Sequence, residues 1–582
     1  MRYPTLKAPK STRKIVDVFR GYNHNLKIKD GEFYDMKNLS SDEYPVLSPR
    51  KQRGIYTKTA SPQGVISKGE LCYVDGKEFV IGEARYDMGL SVTEKATPKE
   101  MISMGAYVII LPDKKYINTM SPEDRGDIEN ETHSEGAVSF TMCDVSGEGY
   151  ENTIVSRTAP ENPEDLQYWM DTSGSPHQLK RWSKTTGEWV SIETTYVKME
   201  ATGIGKGFRQ YDGVKVSGIT DAQLSDLNGS QIIQDCGDDY IVLIGVLDKA
   251  VSQQDMVRVS RKMPAMDFLC ENDNRLWGCR YGLNNDGEMV NEIYACKLGD
   301  FRNWQCYMGI STDSYAASCG TDGPFTGAIT HLGIPLFFKE HCIHKVYGTQ
   351  PSSFQIQTTE CRGVQCGCQH SLAIVNEVLM YKSRSGICAY DGSLPEDVGY
   401  CLGKEPYYEA SAGAHGSKYY ISMRNAKDEW SLFVYDASVK LWHREDSLQA
   451  VSFCSHMGQM YCVDVNTKEI LCLTGGGNAY EGKVQWMAQT GEMGVSTPDT
   501  KYISRISIRL QVPAGSILKV SAQYDLSREW VELCSIRGTD LRSFSIPVRP
   551  VRCDHMKLRF EGIGEARIYS IASTIDGGSD YV

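Results

Sequence analysis

Short runs of alternating apolar and polar residues dominate the chain, the period-2 signature of half-buried strands. Leu71–Val74 and the run Gly76 to Gly82 flank Asp75-Gly76, which predicts a hairpin with a type I′ turn. Ala106–Leu111 reads as a buried strand, and Ala137–Cys143 sets Val138, Phe140 and Met142 on one face. Further strand-like runs fall at Tyr240–Val246, Arg275–Arg280, Glu292–Lys297, Ile334–Lys339, Lys418–Met423, Trp430–Tyr435 and Gln459–Val463. Helical spacing is scarce; the best candidate, Pro98–Met104, is about two turns long.

The rhythm repeats. Turns of the type Tyr73-Val74-Asp75-Gly76, Tyr211-Asp212-Gly213, Tyr390-Asp391-Gly392 and Tyr435-Asp436 recur along the chain. Four-strand groups at a period of roughly 40–50 residues are the mark of β-propeller blades. The segment 145–225, rich in Thr, Ser, Gly and Pro and holding Trp169, Trp182 and Trp189, breaks this rhythm and reads as an inserted module. Alternating strands from Ser504 to Ser573 predict a β-sandwich. The predicted fold class is all-β: a β-propeller with an inserted small β module and a C-terminal β-sandwich. The expected division is an arm with first propeller strands (1–60), blades (61–144), the insertion (145–225), blades (226–480), a linker (481–500) and the sandwich (501–582).

Composition sharpens this picture. Of 582 residues 41% are hydrophobic, ample for a core, and 54 Gly with 33 Tyr against 15 Phe suit many turns and half-wet strands. The net charge of −12 argues against wholesale coating of nucleic acid. Residues 1–53 carry 12 Lys/Arg against 6 Asp/Glu, a basic arm of +6 that leaves −18 for the rest. Docking of that arm on an acidic partner is expected. The opening residues lack the apolar run of a secretory signal, and no stretch approaches 18 apolar residues, so no membrane-spanning segment is expected. The 19 cysteines are odd in number and scattered through strand-like runs, which predicts reduced core thiols rather than a disulfide framework.

Asp238-Asp239, Glu445-Asp446 and the trio Glu161, Glu164 and Asp165 are the paired carboxylates that glycoside hydrolysis would need. Neighbours on a strand point to opposite faces, so solvated turn residues are the expectation. Ser183 to Trp189 falls short of the Ser-x-Asp-x-Gly-x-x-Trp turn of sialidase-type propellers. Cys361, Cys366, Cys368 and His370 have metal-binding chemistry without a familiar zinc spacing, and His341 with His344 reads as ordinary strand histidines. Gly203 to Gly207 lacks the Lys-Ser/Thr ending of a phosphate loop. No catalytic residue, metal site or cofactor is therefore expected, and the chain is expected not to be an enzyme. In the arm, Lys7, Lys10, Arg13 and Lys14 are candidates for docking on a neighbouring subunit or for phosphate contact. Phe19, Tyr22, Phe33 and Tyr34 are its apolar anchors.

Residues 19–53 also carry a resemblance. Phe19-Arg20-Gly21-Tyr22-Asn23, Ile28 to Leu39 and Tyr44-Pro45-Val46-Leu47-Ser48-Pro49-Arg50 resemble the opening of propeller-bearing tail hub, or nozzle, proteins of short-tailed bacteriophages and related prophages. Leu298-Gly299-Asp300 with Trp304, Phe337 to Glu340, and Arg549-Pro550 with Cys553-Asp554-His555 are similar to that group too. The resemblance implies a virion structural protein of the tail, assembled in the host cytoplasm. It implies a homo-oligomeric ring, a hexamer, that continues the tail tube, contacts neighbouring tail or connector proteins, and guides or retains passing DNA. The alternative is a tail-tip protein whose inserted module and sandwich bind a host receptor or glycan; a depolymerase ranks third.

Overall fold

The computed structural model describes residues 11–92, 98–150, 152–495, 501–525, 527, 529–548 and 551–577. Among them there is no α-helix, only single 3-10 turns such as Ser225–Leu227 and Tyr400–Leu402, and no helix long and apolar enough to cross a membrane. The stretch Pro98–Met104 is not helical. Glu100–Met104 is a strand paired with Tyr107–Leu111, because sheet partners override a weak local period.

The fold is all-β, a β-propeller with an inserted module and a C-terminal sandwich. Among the described residues, six four-stranded sheets and one five-stranded sheet of blade type follow in chain order. They open at Pro62, Glu100, Phe268, Gly327, Ala373, Tyr407 and Ala450. The last sheet takes a strand from the start of the chain: Gly54–Lys58 pairs antiparallel with Glu469–Cys472. The borrowed strand ties the start of the chain to this sheet by hydrogen bonds. The hairpin at Asp75-Gly76 forms, with Gly76 at φ 62°, but Lys77 beside it is not at positive φ, so the turn is not the predicted type I′.

Contacts divide the chain into two compact units, Met1–Met101 with Phe338–Ile343 and Thr359–Val582, and Ile102–Phe337 with His344–Thr358. In the first unit, the sheet opening at Pro62 packs on the sheet opening at Ala450 through Val65, Leu71, Tyr73, Val80, Val451, Val463 and Ile470. In the second, the sheets opening at Glu100 and Phe268 share a core of Ile109, Ile128, Met263, Leu276, Phe301 and Trp304. These two sheets touch although about 140 residues separate them, so the segment between leaves and returns at one place. That segment is larger than its composition implied. Two sheets built from strands between Asn130 and Arg261 enclose their own core, from Val138 and Phe140 to Val257 and Val259. The Trp-bearing sheet, Ile154–Ser156, Tyr168–Asp171, Gln178–Ser183 and Glu188–Ser191, is nested within it.

The sandwich is one folded sheet of eight strands. Its spine is a single strand, Lys501–Tyr524, whose register shifts between Val512 and Ile517. The first half pairs with Arg567–Gly577 and the second with Met556–Ile563. Ile506, Ile508 and Leu510 from one half, with Leu518, Val520 and Ala522 from the other, are buried, along with Leu558 and Phe560. The stretch 481–500, expected as a linker, contributes the strand Gln485–Thr490, with Trp486 buried against Gly562. A side chain at Gly562 would meet the indole at 2.1 Å, so only glycine fits there. Both ends of the sheet come from the arm: Ser11–Val16 pairs with Arg567–Gly577, and Phe33–Lys37 with Gln485–Thr490.

In the strand Leu441–Arg444, burial and the nearby Lys418 ammonium pull the His443 imidazole down to a pKa of about 4. The ring is neutral when folded, whereas in the unfolded chain it takes a proton near pH 6.5. Its contribution is thus complete above pH 6.5 and is lost as pH falls toward 4, by about 3 kcal/mol in all. Urea titrations at pH 7 and pH 4.5 are expected to show that loss, and His443→Gln is expected to flatten it.

Candidate functional site

The arm residues singled out in the sequence fall in different settings. Lys7 and Lys10 lie outside the described residues. Arg13 and Lys14 sit on the edge strand Ser11–Val16; Lys14 is paired to Asp30 at 2.6 Å, while Arg13 points to solvent. Phe19, Tyr22 and Phe33 are buried at 3%, 4% and 1% exposure. Phe19 stacks on Phe33 at 5.9 Å, and Tyr22 meets Phe433 at 5.6 Å. Tyr34 is half-buried against His24, at 4.3 Å. Gly21 has φ 76°, and a Cβ there would stand 2.4 Å from the Trp442 carbonyl oxygen. The glycine thus lets the arm approach until Tyr22 N–H donates to that oxygen at 2.6 Å.

The paired carboxylates divide as well. Glu161, Glu164 and Asp165 are exposed, as are Asp238 and Asp239. Asp239 accepts the Gly203 N–H at 2.7 Å, so the glycine-rich stretch Gly203 to Gly207 is braced by a carboxylate. Glu445 and Asp446 are not solvated turn residues. Arg53, itself buried, donates to Glu445 Oε2 at 2.6 Å and to Asp446 Oδ2 at 2.7 Å. Arg50 stands beside both and also pairs with Glu481. Burial, the largest single influence, would raise the Asp446 pKa; Arg53, Arg50 and the Leu448 N–H together outweigh it and hold the carboxyl below its usual range.

None of the nineteen cysteines is in a disulfide, and twelve of them are buried. Among the described residues no three His, Cys, Asp or Glu side chains are placed to hold a metal ion. Cys368 donates to the Tyr408 carbonyl, and burial pushes its thiol up to about 12, which disfavours the thiolate a metal needs. His344 is buried, with Thr321 and Thr358 hydroxyls each 2.9 Å from a ring nitrogen.

The richest constellation is the Trp-bearing sheet. Trp182 stands opposite Trp189, and Trp169 opposite Lys180. Since i and i+2 share a face, Trp169, Lys180, Trp182 and Trp189 line one side of the sheet. Their rings form a chain: Trp169 to Trp189 at 5.3 Å, and Trp182 to Trp189 at 5.4 Å. Trp169 is the anchor, buried and donating Nε1–H to Ser156 at 3.0 Å. Trp182 and Trp189 remain half-exposed. Lys180 lies 4.9 Å over the Trp169 ring and pairs with Asp171 at 2.8 Å. That hydrogen bond, with those from Ser173, lowers the Asp171 pKa to about 2. On the other side Met170 and Leu179 are buried in the module.

Next to this sheet in sequence, His177 and Asp248 are 2.8 Å apart, and Gln223 donates to the other Asp248 oxygen at 2.8 Å. With Asp226, Ser175 and Pro176 they line a hollow of about 390 Å³. The Trp density of this segment was visible in the sequence; Asp226 and Asp248 carried no local signal, because the turns that deliver them are separate.

No protein-family model matches the chain, and no curated protein sequence matches it. Among solved structures it is similar to an exo-beta-1,3-galactanase from Phanerochaete chrysosporium with galactose, at 8% identity and a TM-score of 0.20. That match covers 52% of this chain and 94% of the other. It is also similar to the endosialidase of phage phi92, at 9% identity and a TM-score of 0.25, covering 75% of this chain and 68% of the other. Both are enzymes, contrary to the expectation that the chain is not one. At these scores neither structure assigns this chain an activity.

Proposed function

We propose that the protein is a bacteriophage tail protein that recognises a glycan on the host surface. The observation that carries this reading is the face formed by Trp169, Trp182 and Trp189 with the Lys180–Asp171 pair. Indole rings offer flat apolar area at low entropic cost, suited to the C–H face of a sugar ring, while fixed charges beside them bond its hydroxyls. The placement in a phage tail rests on the resemblance in residues 19–53. Ring assembly, neighbouring tail proteins and passage of DNA are expectations from that same resemblance.

The test is a titration of the intact protein with host-envelope polysaccharides, followed by tryptophan fluorescence. Trp182→Ala with Trp189→Ala is expected to weaken binding at least tenfold while the melting temperature moves by only a few degrees. Unchanged affinity in that variant would remove this face from recognition. A second reading, cleavage of the bound glycan, is favoured by the hollow that gathers Asp226, Asp248 and His177, since glycoside hydrolysis commonly runs on two carboxylates. New reducing ends appearing during the same titration are its readout.

A further inference from the structure

The sandwich carries a second, differently built face. Directly opposed residues in neighbouring strands share a side of the sheet. Arg13, Thr574 and Arg505 form one such row across three strands. The next row is Ile15, Ala572, Ser507 and Ser545, and the one after it Ser570, Arg509 and Ser543. The residues beneath, among them Ile506, Ile508, Leu510 and Ile571, are buried, so the rows form the outer side.

Arg13, Arg505 and Arg509 are exposed, and among the described residues none has a carboxylate within salt-bridge distance. Lys14, the neighbouring cation, is already committed to Asp30. The carboxylate of Asp576 lies a row beyond, opposite Ser11 and Tyr502. Charge is segregated over the whole chain in the same sense. Residues 501–582 hold 12 Lys/Arg against 9 Asp/Glu. Together with the arm of 1–53 they reach +9, and the remaining residues carry −21. Unpaired arginines on the basic part of an acidic protein call for an anionic partner.

The spacing selects which anion. With strands ~4.8 Å apart and ~3.3 Å per residue, Arg13 and Arg505 stand ~10 Å apart, and Arg505 and Arg509 ~13 Å apart. A nucleic-acid strand presents a charge every ~3.4 Å along its axis, and a duplex is curved where this face is a sheet. Arginines set this widely, with serine and threonine hydroxyls between them, match a flat polymer whose charges are sparse and whose intervening groups are hydroxyls. We propose that this face binds an acidic polysaccharide bearing one carboxylate or phosphate every two or three sugars. The site is independent of the tryptophan face, which belongs to the other compact unit.

The test uses the full chain and three probes: hyaluronan oligosaccharides, with one carboxylate per disaccharide, neutral dextran, and a 20-base-pair DNA duplex. The parent is expected to bind hyaluronan at least tenfold more tightly than dextran, with affinity falling as salt rises. Arg13→Gln, Arg505→Gln and Arg509→Gln combined are expected to abolish that preference. Arg20→Gln, Arg537→Gln and Arg542→Gln combined, equal in charge but off the face, are expected to retain it. Near-ultraviolet circular dichroism checks that both variants are folded. Equal loss in the two variants, no preference in the parent, or tighter binding of the duplex than of hyaluronan would each overturn the proposal. The Trp182→Ala, Trp189→Ala variant is expected to bind hyaluronan as the parent does, so failure of one face is distinguishable from failure of the other.

Discussion

Replacing Arg53 by methionine is expected to destabilise the first compact unit by about 3–5 kcal/mol, the range found when one partner of a buried ion pair is removed. Arg53 is 4% exposed and Glu445 is 6% exposed. Without Arg53, Glu445 and Asp446 keep only Arg50, whose nitrogens lie 3.4 Å and 3.6 Å away and which also serves Glu481. The uncompensated carboxylates would then meet the desolvation that Arg53 now offsets. The cost should therefore shrink toward pH 4, where Asp446, still buried but without Arg53 to hold its carboxyl down, can protonate. Arg53→Met with Glu445→Leu is expected to recover much of the loss, because an apolar pair of similar size carries no desolvation penalty. Urea denaturation of the three proteins at pH 7 and pH 4.5 measures this. An Arg53→Met protein as stable as the parent at pH 7 would mean that solvent reaches the cluster.

Phe33→Ala is the second large effect, at about 3–5 kcal/mol for a fully buried phenylalanine. The ring is 1% exposed and stacks on Phe19. Its backbone is tied twice, N–H to the Gly21 carbonyl at 2.9 Å and carbonyl to the Asn23 N–H at 2.8 Å. Its strand covers Gln485–Thr490, which otherwise is a sheet edge. Truncating the ring should loosen both arm and edge, so a lower melting temperature is expected together with faster amide exchange at Met487 and Gln489. A drop in melting temperature without faster exchange would confine the effect to the cavity.

The blades were legible because each is a local object. A strand of alternating residues, an Asp-Gly turn and a return strand all lie within a few dozen residues, and propensity and pairing agree. What stayed hidden was non-local. Nothing in Phe33–Lys37 announces a partner at Gln485–Thr490, and a stretch with Thr-Pro-Asp at its end looks like a linker. Glu445-Asp446 looked like a solvated turn because the arginines that bury it stand some 390 positions earlier. The insertion was noticed where its composition is strangest, while its flanking strands alternate like those of any blade. The tryptophans could be found by density alone, whereas the arginine face exists only once the register is known, since Arg13 and Arg505 are neighbours by hydrogen bonding and not by order.

The strands Ser11–Val16, Phe33–Lys37 and Gly54–Lys58 all wait for partners near the far end of the chain. At a synthesis rate of about 5–20 residues per second, the first of them leaves the ribosome on the order of a minute before its partner exists. For that interval it is an unpaired, partly apolar segment in the cell. Completion of the fold is therefore a post-translational event that brings the two termini together, and a nascent chain interrupted anywhere before the last strand leaves the sandwich open. Expression should accordingly respond to holdase chaperones and to slower growth temperature more than to codon choice in the middle of the gene.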